Sequence, residues 1–120
     1  MGEFFQVHTM ITAPVNGMHV MHPQKWVVAI VVAKVMKTTL SKIIGVYDTD
    51  AKIIACYYEI LFGPLSYLEV SRKYSINRGY MSKRLSELGD RLSDDPSLRS
   101  KMKSVGRMLL HCDEFKNLKA

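Results

Sequence analysis

The stretch Ser66-Tyr-Leu-Glu-Val-Ser-Arg-Lys-Tyr-Ser-Ile-Asn-Arg-Gly-Tyr-Met-Ser-Lys-Arg-Leu-Ser-Glu-Leu88 decides the fold. It opens on Ser66 with Glu69 three residues later. That is the spacing of a capping box, in which the serine oxygen accepts the N3 amide and the glutamate reaches back to the serine N–H. A short helix over residues 67–74 is predicted. Ser75-Ile76 breaks it, and Asn77 is an N-cap for a second helix with Met81, Leu85 and Leu88 at i, i+4 and i+7. Gly89 is placed to close that helix. Two short helices around a tight turn, the second opening on polar and basic residues, form the pattern of a helix-turn-helix over residues 66–88. Ser71 is small where the helices would cross, while Ile76 and Met81 supply the apolar residues needed after the turn and within the second helix. Ser75 stands where the turn needs a positive φ, a position that favours glycine.

Ahead of this stretch, residues 48–62 read as a strong helix. Asp48 or Thr49 can cap it, Ile53, Ile54, Tyr57, Ile60 and Leu61 share a broad face, and Gly63-Pro64 ends it. Ser93-Asp94-Asp95-Pro96 supplies a cap and a first-turn proline for a further helix, along which Leu98, Met102, Val105 and Leu109 form an apolar stripe. That stripe has two readings, closure of the monomer core and pairing with a second chain, and partial use in dimerisation is the one expected. Residues 26–36, WVVAIVVAKVM, form an apolar run of eleven residues, against the ~20 needed to span a membrane. The run begins too deep in the chain for a signal peptide and reads as buried core or an interface, a helix rather than a strand. The expectation is a mainly α chain of about five helices. Residues 1–22 form an irregular N-terminal arm, 23–112 one helical domain, and 113–120 a frayed tail.

Composition sets the class of partner. The chain has 120 residues, the size of one domain, with 48% apolar and 23% charged residues, which excludes wholesale disorder. Cys56 and Cys112 lack the spacing of a redox or metal pair, so a reduced, cytoplasmic setting is expected. Seventeen Lys and Arg against eleven Asp and Glu give a formal charge of +6, which favours an anionic partner. Ten of those basic residues lie within residues 66–107 beside five acids, so most of the surplus sits on the helix-turn-helix half.

With Met81, Leu85 and Leu88 facing inward, Arg78, Ser82, Lys83 and Ser86 face outward, with Tyr80 and Arg84 at the flanks. Basic side chains neutralise phosphates, and Asn, Arg and Ser near the start of a recognition helix can reach base edges. Asn77, Arg78, Gly79, Tyr80, Ser82, Lys83 and Arg84 are the expected DNA-contacting residues, with Arg72, Lys73 and Arg91 as supporting phosphate contacts. Gly79 costs helix stability in a first turn, which suggests a close backbone approach, to a phosphate or to the preceding helix.

Gly63-Pro-Leu-Ser66, Glu69-Val70, Lys73-Tyr74, Asn77-x-Gly79-Tyr80-x-Ser82 and Leu85-x-x-Leu88 together resemble the PapB-type adhesin-biosynthesis regulators, which control fimbrial operons. The resemblance runs over residues 43–88. It implies a small, mainly helical, cytoplasmic transcription regulator that binds AT-rich double-stranded DNA as a homo-oligomer. Tyr67-Leu68, Ser71 and Met81 depart from the family pattern, which bears on sequence preference more than on DNA binding.

Other chemistry is weaker in the sequence. His8, His19, His22, Cys56 and Cys112 lack the spacing of a structural zinc site, so no metal and no cofactor is expected. No nucleophile elbow, phosphate-binding glycine loop or His-Glu-x-x-His helix is present, so an enzyme is not expected. Two rival readings are a protein-interaction adaptor using residues 26–36 and its methionines, and a helix-turn-helix protein of plasmid or phage origin, such as a partition repressor or small terminase subunit.

Overall fold

The structure is a computed structural model in which residues 23–111 are described. A 3-10 turn over Pro23–Trp26 leads into α1 (Val27–Met36), followed by α2 (Leu40–Ile44), α3 (Asp50–Phe62), α4 (Tyr67–Lys73), α5 (Arg78–Asp94) and α6 (Pro96–Leu110). All regular structure among the described residues is helical, as expected, with α2 as an element the sequence did not announce. The proposed arm at 1–22, with His8, His19, His22, Met18 and Met21, lies outside the described residues, as do Cys112 and the tail at 113–120.

The apolar run is the centre of the fold. Val27 through Ala33 are all at most 4% exposed, because a helix that is apolar on every side must be covered on every side. α1 packs against α3 and α6, and α2 closes beside it. Burial of Val27–Ala33, with Trp26, Val35 and Met36 half-buried, leaves little of this run on the surface for the partner that the adaptor reading gives it. The α6 stripe has the same fate: Leu98, Met102, Val105 and Leu109 are buried within the chain, so it completes the monomer core instead of awaiting a partner. Tyr58 ties α3 to α6 by donating its hydroxyl to the Met102 carbonyl at 2.7 Å. The described methionines likewise belong to the core or its edge, Met81 and Met102 buried and Met36 and Met108 partly buried against the core.

Caps set the helix boundaries. Thr49 accepts the Lys52 amide at 3.2 Å and starts α3, and Asp95 accepts the Leu98 amide at 3.0 Å ahead of Pro96. The capping box at α4 is complete, with Glu69 N–H on the Ser66 hydroxyl at 3.2 Å and Ser66 N–H on the Glu69 carboxylate at 2.8 Å. Asn77 caps α5 by accepting the Tyr80 amide at 3.1 Å.

One boundary differs. Gly89 does not close α5, which continues to Asp94. The apolar period 81, 85, 88 extends to Leu92, which packs against the core, and Arg99 donates to the Leu92 and Ser93 carbonyls at 2.8 and 3.1 Å to finish the helix. Gly89 therefore sits exposed in a helix interior, and a Cβ built there meets nothing within 4 Å. Gly89→Ala is expected to raise the unfolding free energy by about 1 kcal/mol, read as a shifted denaturation midpoint at constant m-value.

Candidate nucleic-acid interface

The α4–α5 pair is built as its sequence requires. Ser71 is buried, Ile76 is half-buried against the core and Met81 is fully buried, so the residues expected at the crossing and around the turn point inward. Ser75 adopts φ 56°, the left-handed conformation anticipated for a turn glycine, and Ile76 N–H closes the turn on the Ser71 carbonyl at 2.9 Å. Behind the turn, Lys52 of α3 donates its ammonium to the carbonyls of Tyr74 and Gly45. A buried lysine thus satisfies the end of α4 and the end of α2 together, and burial pushes its pKa below 10.5.

The outward face of α5 is open. Arg78, Gly79, Ser82, Lys83 and Ser86 are exposed, and Arg72 projects from α4. The helical period puts 78, 82 and 86 in one row with 79 and 83 beside it. At Gly79 a Cβ would meet only the Asn77 Oδ1, at 3.3 Å. Packing against the preceding helix therefore does not explain this glycine. Its bare backbone leaves approachable the Arg78 and Gly79 amides, which the Asn77 cap does not take, and amides at a helix start suit an anionic oxygen.

Several expected contacts have other duties. Lys73 is the clearest correction: its side chain is 7% exposed and pairs with Glu59 at 2.6 Å. Its ammonium also donates to the Lys25 carbonyl and lies 5.0 Å from the Trp26 ring centroid. Tyr74 donates its hydroxyl to the same Glu59 oxygen at 2.6 Å. Burial lowers the Lys73 pKa and, with Glu59, raises that of Tyr74 well above 10.0. Lys73 thus fastens α4 to α3 and is withdrawn as a phosphate contact, because the last turn of α4 faces α3 there and leaves only Arg72 outside.

Arg84 is the second correction. Its side chain is 14% exposed and its guanidinium pairs with Asp48 at 3.1 Å, Asp50 at 3.3 Å and Glu87 at 3.9 Å. Arg91 pairs with Asp50 at 3.0 Å and remains 43% exposed. Tyr80, also exposed, donates its hydroxyl to Asp48. The Arg84 ion pairs with such half-exposed acids are worth roughly 0.3–1 kcal/mol each, and the larger effect of these contacts is to set the direction of the Tyr80 and Arg84 side chains. Asn77 is engaged as the cap. The acids Asp48 and Glu59 and the cation Lys52 were not anticipated as partners of this unit. Lys52, Cys56 and Glu59 share one face of α3, and charges at i and i+7 within an apolar helix are the signal that could have found two of them.

The Tyr80 hydroxyl, joined by the Arg84 guanidinium, holds the Asp48 carboxyl below its ordinary 3.8, and the Ser66 N–H does the same for Glu69 against 4.5. A carboxyl depressed in the folded state contributes stability that is fully present above its unfolded pKa and is lost as pH falls through the folded value. The unfolding free energy is expected to decline as pH drops below about 4.5, and Asp48→Asn to flatten the lower part of that decline, measured by denaturant titrations across pH.

Among the described residues no cluster of three His, Cys, Asp or Glu side chains could hold a metal ion, and no helix is long and apolar enough to cross a membrane. Burial drives the Cys56 thiol up to about 12, leaving it protonated and unreactive. Comparison with family models, curated proteins and solved structures gives no match, so the resemblance to PapB-type regulators rests on the motif residues themselves.

Proposed function

We propose that this chain is a non-enzymatic, sequence-preferring DNA-binding regulator of transcription, acting on a fimbrial or adhesin operon as a homo-oligomer. In this reading α4, the turn and α5 act as a helix-turn-helix. The observation that carries it is the exposed row along α5: Arg78, Ser82 and Lys83 stand outward beside the uncovered first turn at Gly79, with Arg72 next to it. Such a face offers cations for phosphates and hydrogen-bonding groups for base edges. The resemblance of residues 43–88 to fimbrial regulators supplies the class of operon and the preference for AT-rich duplexes. One reading helix per chain favours an oligomer that engages two half-sites. The buried α6 stripe leaves the contacts between copies to other surfaces.

A footprint on the DNA upstream of the chain's own gene tests the reading. Protection of an AT-rich tract is expected. Arg78→Ala should then relax discrimination at one base position if it reads a base, or weaken all sequences alike if it meets a phosphate. Absence of any protected tract contradicts the proposal.

A further inference from the structure

The loop at residues 45–49, between α2 and α3, carries two adjacent apolar side chains in water: Val46 is 86% exposed and Tyr47 56%. Isolated exposed apolar residues are common and need no explanation, but this pair is held out by a fastened backbone. On the entry side Gly45 N–H donates to the Ser41 carbonyl at 2.8 Å, and a Cβ at Gly45 would lie 2.7 Å from that oxygen. The buried Lys52 ammonium grips the Gly45 carbonyl and bridges it to the end of α4. On the exit side Thr49 donates to the Lys42 carbonyl at 3.4 Å, and Asp48 receives both the Tyr80 hydroxyl and the Arg84 guanidinium from α5. The tip is thus fixed with respect to α4 and α5.

Its position gives it an occupant. Val46 and Tyr47 form one side of a small depression of about 160 Å³, and Ser75, Asn77 and Tyr80 form the other, at the turn and the first turn of α5. The loop also immediately precedes α3, the first helix of the three-helix unit α3–α4–α5. In the homeodomain, one three-helix variant of the helix-turn-helix, the chain ahead of the first helix reaches the minor groove beside the major groove that holds the third. Lys42 and Arg78 are exposed near the tip, and the two acids there are already engaged, Asp48 by Arg84 and Tyr80 and Asp50 by Arg84 and Arg91.

We propose that Val46 and Tyr47 form a second DNA-contacting element, a rigid apolar tip that packs on the sugars and base edges flanking the segment read by α5. The inference rests on the DNA-binding reading of α5 and adds to it a contact that carries no charge. Apolar side chains pressed against or between base steps are an established way for proteins to grip and bend a duplex.

The test compares three full-length proteins on one AT-rich duplex by fluorescence anisotropy across a salt series: the wild type, Val46→Ser/Tyr47→Ser, and Arg78→Ala/Lys83→Ala. The tip variant is expected to lose about tenfold in affinity with the salt slope unchanged, because an apolar contact releases no counterion. Its Tm should equal the wild type's, since both side chains are already exposed. The α5 variant should instead lose affinity together with salt slope. If the tip variant binds within about twofold of the wild type while the α5 variant has lost binding, the tip contact is wrong and the α5 reading stands. A tip variant whose only change is its oligomeric state in sedimentation overturns the DNA contact and assigns the tip to an interface between copies. If the wild type does not bind the duplex, the DNA reading fails and the tip contact with it.

Discussion

Replacing Glu59 by alanine is expected to cost about 3–5 kcal/mol of folding stability, the largest effect of any single change considered for this chain. Glu59 is 4% exposed and accepts from two buried donors, the Lys73 ammonium and the Tyr74 hydroxyl, each at 2.6 Å. Removing the carboxylate leaves a cation and a phenol without their partner in a site where the Lys73 side chain is only 7% exposed. A domain of this size is stable by only about 5–15 kcal/mol, so the variant should unfold at a markedly lower denaturant midpoint. Removing both charges by Glu59→Leu with Lys73→Met should recover much of the loss, because no buried charge is then left unpaired. A double variant as unstable as Glu59→Ala would show that packing at this position, and not the orphaned charge, governs the cost.

The second large effect belongs to binding. Reversing Arg78 and Lys83 to glutamate is expected to weaken DNA affinity by about 100-fold or more, on the scale of 1–3 kcal/mol for each lost contact. Both side chains are exposed, so the fold should keep its Tm. Arg84→Glu forms the contrast: it breaks the pairs with Asp48, Asp50 and Glu87, so it should lower stability as well as affinity. Loss of affinity at Arg78 and Lys83 without loss of stability separates a DNA-facing surface from a structural one.

Local chemistry explains which parts of this fold could be read from the residues. Caps act over three or four positions, so Ser66 with Glu69, Asn77, and Asp95 with Pro96 could be placed from their neighbours alone. Apolar stripes repeat over several turns, which made α3 and α6 visible and gave the inward face of α5. α2 has five residues, too few for a period to show, and its Thr39 cap has no stripe to mark. Gly89 carried a stop signal that lost to a longer-range one, because burial of Leu92 and the Arg99 contacts sustain the helix past it. The site was legible in part for the same reason. Outward direction at Arg78, Ser82 and Lys83 follows from helical phase. The engagement of Lys73 and Arg84 depends on acids 14 and 36 residues away in the chain, Glu59 and Asp48, which no local pattern announces.

The resulting arrangement assigns distinct roles to neighbouring cations. Lys52 and Lys73 are buried and hold α4 against α3, Arg84 directs α5 against the start of α3, and Arg72, Arg78 and Lys83 are the exposed cations that the proposed reading places on DNA. A charge of +6 is therefore a poor guide by itself to the charge available for binding.

DNA binding through α5 is tested by titrating the wild-type protein against AT-rich and GC-rich duplexes over a salt series. With Arg72, Arg78 and Lys83 on phosphates, log K should fall against log salt with a slope of about −0.9 per contact, near −3 in all for each chain bound. The AT-rich duplex should bind more tightly throughout. A flat salt dependence together with equal affinity for the two duplexes would show that this face does not bind DNA.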